Sequence, residues 1–297
     1  MGVHTIPEVT LRKVADHDVT AIITASGAAI RRLEVDARPL LKSFEPAQRP
    51  PGAANIVLAP WPNRVADATF TFNGITHQLE VTEPERGHAL HGFTWGRIFN
   101  IVDHTNDSAT LRTILGPEPG WPWQIELTVT YTLTDIGITG TMTAHNITPA
   151  GGEHGPAPCA LGVHTYLDPQ GAPLDECTLH HTIEQHQPVD SRNIPTGPRQ
   201  PWPASPMDMN GVQLDDAGVD PVKRPHIARL VREDGCGVEL EASKSMPWTQ
   251  IFTSPQRELA VEPMTAPPNA LATGEDVTVL APGERMSVTW SVRAINN

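Results

Sequence analysis

A chain of 297 residues is long enough to bury a large core. Its 21 basic against 34 acidic side chains give a formal charge of −13, which argues against a nucleic-acid partner, because phosphate backbones need clustered cations. The same charge opposes an anionic membrane surface, and no window of about twenty apolar residues could span a bilayer. Three widely spaced cysteines, Cys159, Cys177 and Cys236, with no CxxC pair, argue against a disulfide framework or a thiolate zinc site and read as core or surface thiols.

In chain order, the first residues carry Glu8, Arg12, Lys13, Asp16 and Asp18 where a leader would be apolar, so the expected location is the cytoplasm. Residues 9–35 hold short strand-like runs, among them Val19, Ala21 and Ile23. Phe70 and Phe72, then Asn73-Gly74, then Ile75 and Leu79 predict a hairpin, since Asn-Gly readily takes the positive φ angles of a tight turn. From Ile125 to Leu133, apolar Ile125, Leu127, Val129, Tyr131 and Leu133 alternate with Glu126 and three threonines, the period-two mark of a half-buried strand. Asp135-Ile136-Gly137 and a second alternation over 138–142 make it a hairpin. Residues 148–158, rich in Gly and Pro, read as a loop. So do residues 185–220, a length at which a structureless segment is often functional. Strands follow at Val238 to Ala242, Trp248 to Phe252 and Met286 to Val292. There is no sustained helical period, no βαβ alternation and no glycine-rich phosphate loop. With 30 prolines and 23 glycines spread throughout, the fold class is all-β, a large antiparallel β-sandwich, read as a single domain over 1–297.

Four stretches concentrate groups that move protons or hold hydroxyls. They are Pro60-Trp61-Pro62-Asn63-Arg64, His88-Ala89-Leu90-His91-Gly92, Leu161-Gly162-Val163-His164-Thr165-Tyr166 and Ala260-Val261-Glu262-Pro263-Met264-Thr265. Glu262 stands among apolar residues at the end of an apparent strand, where desolvation would raise its pKa and strengthen it as a base. On the residues alone, the plainer reading is a carboxylate facing water, and for His164 a histidine satisfied within the structure. Arg64 beside Trp61 offers a fork for hydroxyls and an indole for the apolar face of a sugar, or equally a loop arginine with an exposed head. His88 and His91 have HxxH spacing but lie between glycines with no third ligand nearby, so no metal is expected. His180, His181 and His186 read as solvated.

Taken together and in order, these stretches resemble the aldose 1-epimerase (galactose mutarotase) family. Asn55 to Arg64 is similar to its P-(W/Y)-x-N-R segment, and the hairpin at Asn73-Gly74 follows it. His88 to Gly92 resembles N-x-L-H-G, and Gly162 to Leu167 resembles G-x-H-P-Y-(F/L). Leu259 to Ala270 resembles A-V-E-P-M-T-x-P-P-x-A, the longest and most specific of the matches. The resemblance implies a sandwich with sugar bound on a concave face. It implies His164 as the general acid toward the ring oxygen and Glu262 as the general base toward the anomeric hydroxyl. Arg64 and His91 would hold sugar oxygens, and Asn63, Gln250 and Tyr166 would line the pocket. The family's L-D-x-x-F element is matched by Leu214-Asp215-Asp216-Ala217-Gly218, with glycine for phenylalanine, so Asp215 is the sugar-binding candidate and Asp216 and Asp220 are alternatives. Thr165 stands where the family has proline.

Mutarotation opens and closes a hemiacetal: one proton leaves the C1 hydroxyl while another reaches the ring oxygen. An acid and a base on opposite sides of the acetal serve it, each transfer contributing roughly 10²–10⁴-fold. No redox step or leaving group is involved, so no cofactor is expected. The expected partner is a monosaccharide, for a monomer or homodimer. Three rivals stand beside this reading. A non-catalytic sugar-binding protein would share the fold. A hexose-6-phosphate 1-epimerase would need extra cations near the far end of the sugar; Arg31-Arg32 and Lys223-Arg224 exist, but nothing in the sequence places them in the pocket. A glycoside hydrolase would need two carboxylates, such as Asp215 and Glu262.

Overall fold

The computed structural model describes residues 6–151 and 155–296. Its largest sheet has nine antiparallel strands, in the order Asn100–His104, Ser108–Leu115, Ile125–Leu133, Gly137–Asn146, Arg285–Ile295, Gly237–Ala242, His226–Arg232, Cys177–His181 and Met207–Asp208. The period-two pattern has the outcome it predicts. Along Ile125–Leu133 every second residue is buried, and the strand pairs with Gly137–Asn146 so that Val129 faces Met142. The open face carries hydroxyls that pair across strands, Thr110 with Thr130, Thr141 with Thr289 and Thr143 with Ser287. β-Branched threonines suit such a half-wet surface.

A second sheet has eight short strands. Gln200–Pro201, Gln185–Gln187, Asp215–Val219, Trp248–Thr253, Leu259–Met264, Gly162–Val163 and Val57–Leu58 lie side by side, and Thr165–Leu167 also pairs with Leu259–Met264. Residues 185–220 are therefore not a structureless loop: they give strands to both large sheets. They read as loop because these strands are short and rich in polar residues. The N-terminal residues form a separate sheet of Glu8–Val14, Asp18–Thr24, Ile30–Val35 and Arg38–Pro39. One cluster of buried apolar side chains, from Val9 to Ala294, draws on all three sheets.

The hairpin at Asn73-Gly74 forms between Thr69–Phe72 and Ile75–Gln78, with φ of 50° and 78° at its two turn residues. Of the predicted loop at 148–158, residues 152–154 lie outside the described residues, and Ala157–Cys159 is a strand paired with Thr278–Leu280. The cysteines are free, Cys159 and Cys177 buried and Cys236 partly so. His181 corrects the expectation of a solvated side chain: it is buried, its ring edge-on to Trp202. Among the described residues the only α-helix is Ala270–Thr273, and no helix is long and apolar enough to cross a membrane.

Candidate functional site

The strands of the second sheet converge on a pocket of about 190 Å³. It is lined by His164, Glu262, Arg64, His91, Asp215, Asn63, Gln250 and Tyr166, which brings together the candidate acid, the candidate base and six of the candidate sugar-binding residues. Leu90, Trp95 and Phe252 supply apolar wall. The volume lies below the roughly 300–1,000 Å³ typical of drug-sized ligands, and the lining is rich in hydrogen-bonding groups, as a small polyhydroxylated molecule requires.

Glu262 is held by the strand Leu259–Met264, buried along its whole length. Its neighbour across the ladder is Gln250. His164 is fixed through its backbone, because its N–H donates to Ile56 O and its carbonyl accepts from Asn55 N–H. The Asn55 side chain completes the clamp: Nδ2 donates to Ile30 O and Lys42 O, and Oδ1 accepts from Tyr166 N–H. The first residue of the quoted Asn55–Arg64 stretch thus has a positioning role that the sequence left unassigned.

His164 Nε2 and Glu262 Oε1 lie 3.3 Å apart, with side chains only 6% and 3% exposed. The two candidate groups are thus in direct contact. Burial pushes His164 down to about 4 and Glu262 well above the usual carboxylate range; nearby Asp215 adds to the latter and Arg64 opposes it. Glu262 Oε2 has no hydrogen-bond partner among the described residues.

His91 packs edge-on against His164, its ring centroid 5.1 Å away. Its Nδ1 accepts the Asn63 backbone N–H at 3.2 Å, so in the neutral ring Nε2 carries the hydrogen. Burial, then the neighbouring His164 and Arg64, hold its pKa well below the ordinary histidine value. His91, His164 and Glu262 place ligand-capable atoms within 4.8 Å of one another. A metal-bound histidine usually donates from its second nitrogen, whereas Nδ1 of His91 accepts; this set suits a hydroxyl oxygen better than a cation.

Arg64 is clamped side-on by Glu83, Nε to Oε2 at 2.9 Å and Nη2 to Oε1 at 3.0 Å, while Arg86 reaches the same carboxylate at 2.8 Å. Burial acts to raise Glu83, but the two guanidiniums prevail and hold it below its usual range. No local pattern marked Glu83 as part of the site. Asp215 accepts from Gln250 Nε2 at 2.8 Å and from Asn193 Nδ2, and Gln250 Oε1 accepts from Asn63 Nδ2 at 3.3 Å. Burial raises the Asp215 pKa, with Arg64 and Arg86 opposing. Asp216 faces His186, and Asp220 caps the turn at Val222 and pairs with Arg224, so of the three aspartates only Asp215 lines the pocket. Trp61 does not supply the aromatic wall: it is buried against Phe93 and Trp121. That position falls to Trp95, anchored by Nε1 on Pro50 O at 2.8 Å.

Residues 9–293 match the profile of the aldose 1-epimerase family. This chain belongs to that family. It is 27% identical over 283 residues to the Escherichia coli protein YihR, covering 91% of this chain and 89% of that one. It is 28% identical over 152 residues to an aldose 1-epimerase of Haemophilus influenzae, covering 46% and 40%. Its fold is similar to a galactose mutarotase-like protein from Clostridium acetobutylicum, with TM-score 0.81, 16% identity and coverage of 99% and 100%. It is also similar to the aldose epimerase homologue of C. elegans, with TM-score 0.81, 18% identity and coverage of 98% and 100%.

Two departures from the family pattern have a physical setting. A Cβ on Gly218 would stand 2.3 Å from Ile183 Cγ2, so the strand carrying Asp215 has no room for the family's phenylalanine there. Thr165 opens the strand Thr165–Leu167 opposite Val261, a place that suits a β-branched residue.

Proposed function

We propose that this aldose 1-epimerase family member is a mutarotase interconverting the α and β anomers of a free, uncharged aldose. The observation that carries the reading is the buried 3.3 Å contact of His164 and Glu262. The hydroxyl and ring oxygens of a hemiacetal are bonded to one carbon, so two groups that are close to each other can serve both. Burial favours neutral imidazole beside carboxylic acid. Moving one proton along the contact gives imidazolium beside carboxylate, with the same proton count. From that form Glu262 takes the C1 hydroxyl proton, Nε2 of His164 protonates the ring oxygen, the bond from C1 to the ring oxygen breaks and the C1 carbonyl forms. Rotation about C1–C2 and the reverse transfers close the other anomer. His91 Nε2–H and Arg64 would donate to sugar oxygens, and Asp215 would accept from hydroxyls, holding the rest of the sugar still while C1 turns.

A phosphosugar is not favoured. Arg64 and Arg86 are both engaged by Glu83, and Arg31, Arg32, Lys223 and Arg224 pair with Glu8, Glu34, Asp276 and Asp220 away from the pocket. We also read the chain as one folding unit working in the cytoplasm. The test follows the optical rotation of freshly dissolved α-glucose and α-galactose with wild type, His164→Ala and Glu262→Ala. Acceleration by wild type and its loss in both variants is the expected result. Wild-type traces that match buffer alone across several aldoses would overturn the reading, and sugar binding without acceleration would move a non-catalytic binder to the front.

A further inference from the structure

The hairpin of Gln185–Gln187 with Gln200–Pro201 carries residues 188–199 as its loop. This loop is tied at two shoulders. On one side, the Arg192 guanidinium donates to Asp67 and, from Nη2 and Nε, to Arg86 O at 2.9 and 3.1 Å. His88 strengthens that side. Its Nδ1 accepts the Asp67 backbone N–H at 3.1 Å, which leaves Nε2 to donate to Arg192 O at 3.2 Å. His88 is fully buried and lies three residues from His91, so the HxxH spacing serves two faces: one imidazole in the pocket, one under the loop. On the other side, Arg199 stacks over the Trp248 ring at 4.6 Å and pairs with Glu275. Within the loop, Asp190 Oδ1 accepts from Arg192 N–H and Ile194 N–H, a turn that presents Asn193 between them. Asn193 then donates to Oδ2 of Asp215.

We infer that residues 188–199 form a strap across the pocket rim. Asn193 is a positioning residue for Asp215, and Arg192 and His88 pin the strap that carries it. The inference rests on the mutarotase reading for its kinetic consequence, but not for its structural one. Asn193 and Gln250 occupy the two oxygens of Asp215, so the carboxylate is oriented before sugar arrives. The pin is weaker: Arg192 and Asp67 are 45% and 70% exposed, and exposed ion pairs are screened by salt.

Kinetics of Asn193→Ala and Arg192→Ala on the aldose that wild type turns over fastest provide the test. Asn193→Ala should raise KM about tenfold, the loss of one hydrogen bond to a charged group, with kcat within about twofold. Arg192→Ala should raise KM about threefold and abolish the rise of wild-type KM with ionic strength. Unchanged KM in both variants, or a fall in kcat with KM intact, overturns the positioning role. If wild type turns over no aldose, the mutarotase reading fails separately. The strap is then read from amide hydrogen exchange over 188–199, which Arg192→Ala accelerates if the loop is pinned as described and leaves unchanged if it is not.

Discussion

The two large sheets each bury a glutamate, and the two carboxylates live in opposite circumstances. Glu239, in the nine-stranded sheet, has a 3% exposed side chain and sits between Arg229 and Arg293 on the neighbouring strands. Glu262, in the second sheet, is equally buried, but its ion-pair contact is the imidazole of His164, and among the described residues no guanidinium pairs with it. The first arrangement compensates a charge. The second sets a carboxyl whose pKa burial raises against an imidazole whose pKa burial lowers. Individual strands differ as well. Ile125–Leu133 alternates buried and wetter residues, whereas Trp248–Thr253 and Leu259–Met264 are buried on nearly every residue and include Gln250 and Glu262. Gln250 and Glu262 are buried polar groups, which cost stability unless paired.

The sharpest way to break this comparison is to neutralise each glutamate. Glu262→Gln should lower the mutarotation rate by roughly 10²–10⁴-fold while leaving or raising the thermal midpoint, because it removes a desolvated acid. Glu239→Gln should do the reverse, keeping the rate and costing about 1–2 kcal/mol as two half-exposed guanidiniums lose a charge partner. A rate loss in Glu239→Gln comparable to that in Glu262→Gln would sink the division of labour. The wild-type pH profile sharpens it further. kcat/KM should be bell-shaped, its acid limb well below the ordinary histidine value and its alkaline limb above the carboxylate range, both belonging to the His164–Glu262 pair.

Next in size, Glu83→Gln frees Arg64 from its bidentate anchor. KM should rise about tenfold with kcat little changed, and steady-state kinetics decide. An unaltered KM would mean that Arg64 needs no anchor.

A smaller effect lies in stability against pH. His164 is held near 4 and His226 near 3 by burial, both below the model-compound value of 6.5. A histidine depressed in the folded state contributes stability above its unfolded pKa and loses it as pH falls, here from about 6.5 toward those lower values. Glu262 has the opposite sign: raised in the folded state, it contributes below its unfolded pKa and loses that contribution as pH rises through the folded one. Thermal unfolding should show wild type losing stability below pH ~6.5, with His226→Gln losing about 2–4 °C less over the same acid range. Equal acid sensitivity in the two proteins would refute the assignment. Smallest of all, Thr141→Val on the open hydroxyl face should change stability by no more than about 0.5 kcal/mol in chemical denaturation.

Much of the fold was legible in the residues because a half-wet strand writes its environment as alternation. Ile125 to Leu133 and the Asn73-Gly74 turn needed no tertiary information. The short strands in 185–220 were not legible, since strands of two to five residues in a polar segment carry no readable period. Nor could the sequence choose among Asp215, Asp216 and Asp220, or choose Trp95 over Trp61. Those decisions depend on which way each side chain faces once the sheet has twisted.

By itself, the sequence determined the all-β class and, through ordered motifs from Asn55 to Ala270, the family and the residues gathered in the pocket. Only the tertiary structure decided that His164 and Glu262 touch, that Glu83 holds Arg64 and that Asn193 holds Asp215. These pairs lie 98, 19 and 22 positions apart in the chain, by subtraction of their residue numbers. Local propensity acts over a few residues, so contacts at that separation are set by strand register and packing, which no short motif encodes.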